Sequence, residues 1–134
     1  MIAVDTSVVV AAFASWHQGH RSAAAALARK PRIPAHVVIE AFSVLTRLPA
    51  PHRSLPAVVV TFLEEHFPKV PLGLPAVALR ALVRSALTAH VSGGAIYDAL
   101  IAETVKRAGA TLFTRDRRAV VTYERLAVRY ELLE

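Results

Sequence analysis

"IYDALIAETVKRAGATLFTRD", residues Ile96 to Asp116, is the stretch whose reading decides the fold. Apolar residues recur at helical spacing from Ala95 to Ala108, after Gly93 and Gly94 have broken the preceding pattern. Gly109 stands where a helix C-cap belongs. Thr111 to Phe113 then reads as a short buried strand, and Asp116 lies just past its end. A helix that hands over to a buried strand is half of an α/β repeat. The N-terminus, "MIAVDTSVVV", supplies the same punctuation: a strand from Ile2 to Val4, then Asp5, then a helix from Ser7 to Phe13.

Between these ends the pattern alternates. Arg21 to Arg29 is helical, Arg32 to Pro34 is a short strand or extended link, and Ala35 to Leu48 is a strong helix. Leu55 to His66 is the next helix, with Ser54 placed to cap it, and Lys69 to Leu72 is extended. Ala76 to His90 is helical, and Val128 to Leu132 reads as the last strand. Pro49 and Pro51, then Pro68, Pro71 and Pro75, mark turns inside one domain. Strands that alternate with helices predict a mostly parallel sheet covered on both faces. Sites in such sheets form at the carboxyl ends of the strands, where Asp5 and Asp116 fall.

Composition narrows the function. A chain of 134 residues with 54% apolar residues is long enough to bury one core and too apolar to be disordered. No uncharged apolar run approaches the roughly 18 residues of a membrane span. Ala12-Phe13-Ala14 has the look of a signal-peptidase site, yet no basic segment precedes it and Asp5 interrupts the apolar run, so no signal peptide is expected. There is no cysteine, hence no disulfide, thiol nucleophile or Cys-ligated zinc, which fits a cytoplasmic protein. The net charge is +6, almost all from arginine, and a small basic domain suits a polyanionic partner.

The acids are few and unevenly placed. Asp5 and Asp116 each follow a strand, and Asp98 sits in the first turn of a helix. Taken singly, each has an ordinary explanation as a helix cap, a dipole partner or a turn residue. Glu40 lies in "AHVVIEAFSVLTRL", where Val37, Ala41, Val44 and Leu48 share one face, widened by Val38 and Leu45. It projects beside that face with His36, Ser43 and Arg47, either on a solvated stripe or into a pocket at the edge of the core. The four acids together suggest one chemistry. Hard cations such as Mg²⁺ and Mn²⁺ choose carboxylate oxygens, and crowded carboxylates need such an ion to relieve their repulsion. A bound ion can polarise a phosphodiester, acidify water and offset charge on the leaving oxygen.

"AVDTSVVV", Glu40 within an apolar helix, and the spacing of "IYDALIAETVKRAGATLFTRD" resemble the PIN-domain ribonucleases, above all the VapC-type toxins of bacterial toxin–antitoxin pairs. The resemblance spans essentially residues 1–134 as one PIN domain, weakest after Asp116 in "RRAVVTYERLAV". It implies a parallel sheet of about five strands between helices, with Asp5, Glu40, Asp98 and Asp116 converging at the strands' carboxyl ends to hold Mg²⁺ or Mn²⁺. Asp5 and Asp98 match the positions most regularly assigned as ligands, and Thr6, Ser7 and Thr114 match small hydroxyl residues that support the cluster. It also implies an endoribonuclease that cuts structured RNA such as transfer RNA, forms a homodimer and is held inactive by a cognate antitoxin.

Arg115, Arg117 and Arg118 flank Asp116, either as a rim for RNA phosphates or as a solvated loop. His17 and His20 form an H-x-x-H with no second ligand pair, a poor zinc site. Trp16, in a loop beside His17, could stack on a base or pack on a neighbouring chain. A haloacid-dehalogenase-type phosphatase would need an acid two residues after Asp5, where Ser7 stands. A receiver domain would need paired acids near the first strand. The remaining alternative is a degenerate PIN-like module that binds RNA or protein without cutting.

Overall fold

The computed structural model describes residues 1–134. Chain order is β1 (Ile2–Val4), α1 (Thr6–Phe13), α2 (His20–Ala28), α3 (Ala35–Thr46), α4 (Pro56–His66), α5 (Ala76–Thr88), α6 (Ala95–Arg107), β2 (Thr111–Thr114), α7 (Arg117–Arg125) and β3 (Tyr130–Leu132). The sheet is parallel throughout, with β2 in the centre. Val4 pairs with Phe113 on one side, and Phe113 with Glu131 on the other. Side chains on a strand alternate between faces, yet Leu112, Phe113 and Thr114 are all buried, so both faces of β2 are covered.

Three strands form the sheet, not the expected five or so. The other two extended segments are present but join the sheet only through isolated parallel bridges, Ala3 with Arg32 and Pro34 with Leu72. Proline explains the shortfall. Pro31, Pro34 and Pro71 have no N–H to donate, so neither segment can extend a ladder beyond one pairing. Backbone bonds from Arg32 N to Ile2 O (2.8 Å) and from Leu72 N to Ile33 O (2.9 Å) still align both segments with the sheet.

The helices begin and end where local chemistry dictates. α3 stops at Thr46, short of Leu48, because Pro49 disfavours helical backbone in the residue before it. α4 is capped by Leu55 rather than Ser54, with Pro56 filling the first position, where its missing N–H costs nothing. His90 adopts a left-handed backbone (φ 58°) beyond the end of α5, and Gly109 does so after α6, as a C-terminal glycine should (φ 69°). α7 is the one helix that the sequence reading leaves unassigned. Asp116 caps it, and Ala119, Tyr123 and Leu126 carry its buried stripe. Arg117 and Arg118 therefore lie on a helical first turn, not in a loop.

The core face of α3 is Val37, Ala41 and Leu45, all fully buried. Val44 is rotated off this face, next to Glu40. No helix is long and apolar enough to cross a membrane.

Candidate active site

The carboxyl ends of β1 and β2 lie side by side, and each is followed by an aspartate that caps the next helix. Asp5 caps α1: its Oδ1 accepts bonds from Ser7 N (3.0 Å), Ser7 Oγ (2.6 Å) and, at 3.4 Å, Val8 N. Asp116 caps α7, its Oδ1 accepting from Arg118 N (2.9 Å) and Ala119 N (3.4 Å). The ordinary reading of both residues as caps is thus correct, and for Asp116, which is exposed, it nearly suffices.

For Asp5 it does not suffice. The residue is only 3% exposed, and its second oxygen, Oδ2, accepts a 2.8 Å bond from the hydroxyl of Tyr123, which has no exposed surface. Burial pushes the Asp5 carboxyl above its ordinary range, while the bonds from Ser7, Thr114, Tyr123 and Val8 pull it back. Tyr123 is pushed up in turn, by its own burial first and then by the charge of Asp5, so it stays protonated and remains a donor. A carboxylate oxygen has two lone-pair sites, so Oδ2 keeps one free for an ion.

Ser7 ties the two strand ends together. Its Oγ donates to Asp5, accepts from the backbone N of Arg115 (2.8 Å) and lies 3.4 Å from Thr114 Oγ1. Thr114 Oγ1 accepts from Asp116 N (3.0 Å). Thr6 is buried beside them, its Oγ1 without a partner.

Asp98 and Glu40 approach from the helical side. Asp98, half-buried in the first turn of α6, has its carboxyl pushed up to about 6, by burial first and then by the charges of Asp116, Asp5 and Glu40, against a small opposing pull from His36. Glu40 is held by His36 one helical turn earlier, Nε2 to Oε2 at 3.1 Å. The His36 ring lies parallel to that of Tyr97, 5.3 Å between centroids and 4° between planes. Asp98 therefore feels the charge of each of the other three predicted acids. The four do not, as they stand, bring three donors to one point: no group of three His, Asp or Glu side chains is close enough to hold an ion.

An open cleft of about 500 Å³ runs along this edge, lined by Thr6, Ser7, His17, Glu40 and Arg115 to Arg118. His17 is pulled down, by burial first and then by the charges of Arg115 and His20. His17 Nδ1 accepts from Gly19 N (2.9 Å) and the His20 ring bonds the Ala11 carbonyl (3.0 Å), and no third His, Asp or Glu joins them in a group close enough to hold an ion. Trp16 stacks on His52, with centroids 4.0 Å apart. Tyr123 is the site residue that the sequence reading missed. Its signal was the buried stripe of α7 behind a capping aspartate.

A cap-locked aspartate at each of two parallel strand ends, with acids from two helices facing them, defines a class. A family model for the PIN domain matches residues 2–125. The chain is 51% identical over 133 residues to Ribonuclease VapC40 of Mycobacterium tuberculosis (strain ATCC 25618 / H37Rv), covering 99% of both chains. It is 38% identical over 128 residues to Ribonuclease VapC27 of the same strain, covering 95% of this chain and 93% of that one. VapBC2 from Rickettsia felis, solved bound to a DNA fragment from its promoter, has the same fold, with a TM-score of 0.67, 16% identity and 100% of each chain covered. The chain belongs to the PIN-domain family, among its VapC ribonucleases. PIN-domain ribonucleases depend on a divalent metal ion. The donor types here suit a hard cation, since Asp98 lies within electrostatic reach of three other carboxylates and no thiolate exists.

Proposed function

We propose that this protein is an Mg²⁺- or Mn²⁺-dependent endoribonuclease that cuts phosphodiester bonds in structured RNA, such as transfer RNA, as the growth-inhibiting toxin of a type II toxin–antitoxin pair. The observation that carries the reading is the Asp98 carboxyl, raised to about 6 by burial and three neighbouring acids, a charge crowd that a divalent ion relieves. Asp5 and Asp98 are its principal holders, with Glu40 and Asp116 binding directly or through water. When bound, the ion polarises the phosphodiester and eases ionisation of the attacking water.

The residues of the chain do the rest. Ser7 and Tyr123 fix the orientation of the Asp5 carboxylate, and Thr114 and Ser7 hold the two strand ends in register. The N-terminal end of α6 favours the ionised form of Asp98. His36 steadies Glu40. Arg115, Arg117 and Arg118 give the cleft a cationic wall for phosphates. The partners are RNA, a cognate antitoxin and a second copy of the chain, and the place of action is the cytoplasm. An apolar stripe on α5, with Val77, Val83 and Leu87 more than half exposed, suits either protein partner.

The deciding experiment incubates purified protein with total bacterial RNA and Mg²⁺ or Mn²⁺, beside EDTA and Asp98→Asn controls. Discrete fragments that vanish in both controls are expected. Fragments that persist in Asp98→Asn overturn the site. One observation favours a second reading, a PIN-like module that binds RNA or protein without cutting: the acids do not converge on one point. Folded protein that binds RNA but never cuts it with either metal selects that reading.

A further inference from the structure

Two buried polar side-chain atoms in the chain lack any hydrogen-bond partner, Thr6 Oγ1 and Arg115 Nε. Native folds rarely leave such atoms unpaired, and each asks for something to bind. Both residues line the same open cleft beside Glu40 and Asp116.

How Arg115 is held matters more than its charge. Its backbone N donates to Ser7 Oγ, which fixes where the residue leaves β2. Its guanidinium then lies against the α-carbon of Gly19, the residue that caps α2. A Cβ on Gly19 would overlap Arg115 Cζ and stand 2.5 Å from its Nε. Gly19 has an ordinary backbone conformation (φ −88°, ψ 6°), so the turn itself does not require glycine. The space for Arg115 does. The guanidinium also has no carboxylate within ion-pair distance, because the ion pairs of the chain are His36–Glu40, Glu103–Arg107 and Arg117–Glu134.

We propose that this cleft is a subsite for one phosphate of the bound RNA, with Arg115 as its clamp and Gly19 as the seat that aims the guanidinium. The inference deepens the ribonuclease reading and rests on it. A guanidinium presents planar, paired donors that match phosphate oxygens, and its terminal Nη groups, which have no carboxylate to bind, are the donors such an oxygen would take. Arg117 and Arg118 add charge along the same wall but are exposed, so they attract the strand without fixing it.

Gly19→Ala is the informative variant, because it lies outside the acidic cluster and its clash is with the far end of a flexible side chain. The fold should survive and only the guanidinium should move. Binding is read by fluorescence anisotropy with a labelled single-stranded RNA of mixed sequence, in EDTA so that nothing is cut, over a range of salt. Gly19→Ala and Arg115→Ala should each weaken binding about tenfold and lower the salt slope by about one. In parallel, inorganic phosphate should shift the Arg115 Nε–Hε NMR signal in the natural chain and not in Gly19→Ala. A Gly19→Ala protein with unchanged melting temperature, RNA affinity and salt slope overturns the clamp, even if the natural chain cleaves RNA. A natural chain that shows the clamp's affinity and slope yet never cleaves RNA with metal overturns the nuclease and leaves the phosphate subsite standing.

Discussion

Asp5 and Asp98 carry the same charge and serve the same cluster, but the fold treats them in opposite ways. Asp5 is almost wholly enclosed and closely held: a serine, a tyrosine and two backbone amides converge on its carboxylate. Asp98 is half-buried, with three like charges in range and only His36 and the N-terminal end of α6 to offset them. The first is a built part of the scaffold. The second is a stressed group whose relief must come from outside. The cluster is thus tied down on the side of the sheet and electrostatically unsatisfied on the side of the helices.

The comparison can be broken most directly by activity. Asp5→Asn and Asp98→Asn should each cut RNA cleavage by more than about 100-fold, beyond the usual cost of losing a group that merely orients a ligand. Single-turnover assays on a fragment-yielding RNA check this. Tyr123→Phe should fall between about 10- and 100-fold, because it removes a donor that orients Asp5 and leaves the acids in place. Full activity in Tyr123→Phe would reduce that bond to a packing detail.

Stability should then separate the two aspartates by sign. Without metal, Asp5→Asn should destabilise the fold by about 1–3 kcal/mol, since an amide nitrogen cannot accept from the donors aimed at it. Asp98→Asn should raise the melting temperature in EDTA. Its native pKa of about 6 exceeds the ordinary 3.8, so the folded state disfavours the charged form. That penalty is full above about pH 6 and fades as the pH falls toward 3.8, so the gain should be present at pH 8 and lost near pH 4. Thermal melts across this range check the sign; a loss of stability at pH 8 would refute the crowding. Smallest of all is Arg117→Ala. Its pair with Glu134 is 3.6 Å long and largely exposed, so the melting temperature should not move measurably.

The sequence made three of the four acids legible because each stands at a boundary of a helix, and Glu40 only through its place beside an apolar helix face. Asp5 follows Ile2 to Val4, Asp98 opens a helix behind two glycines, and Asp116 follows Thr111 to Thr114. The α/β order was legible for the same reason. The strand count was not, because Arg32 to Pro34 and Lys69 to Leu72 look extended but carry the prolines that hold their pairing to isolated bridges. α7 was hidden by two arginines that resemble a solvated loop, although Ala119, Tyr123 and Leu126 keep helical spacing behind Asp116. The partnership of Tyr123 with Asp5 had no local signal at all, since the two stand 118 residues apart.

That separation has a consequence during synthesis. Chains fold from the N-terminus as they are made, so β1 and α1 emerge long before α7. Until then Asp5 has its serine but not its tyrosine, and no Arg115 backbone has arrived to bind Ser7. A half-made chain still on the ribosome therefore lacks an assembled site, and any hazard to RNA begins only when the last helix brings Tyr123 to Asp5.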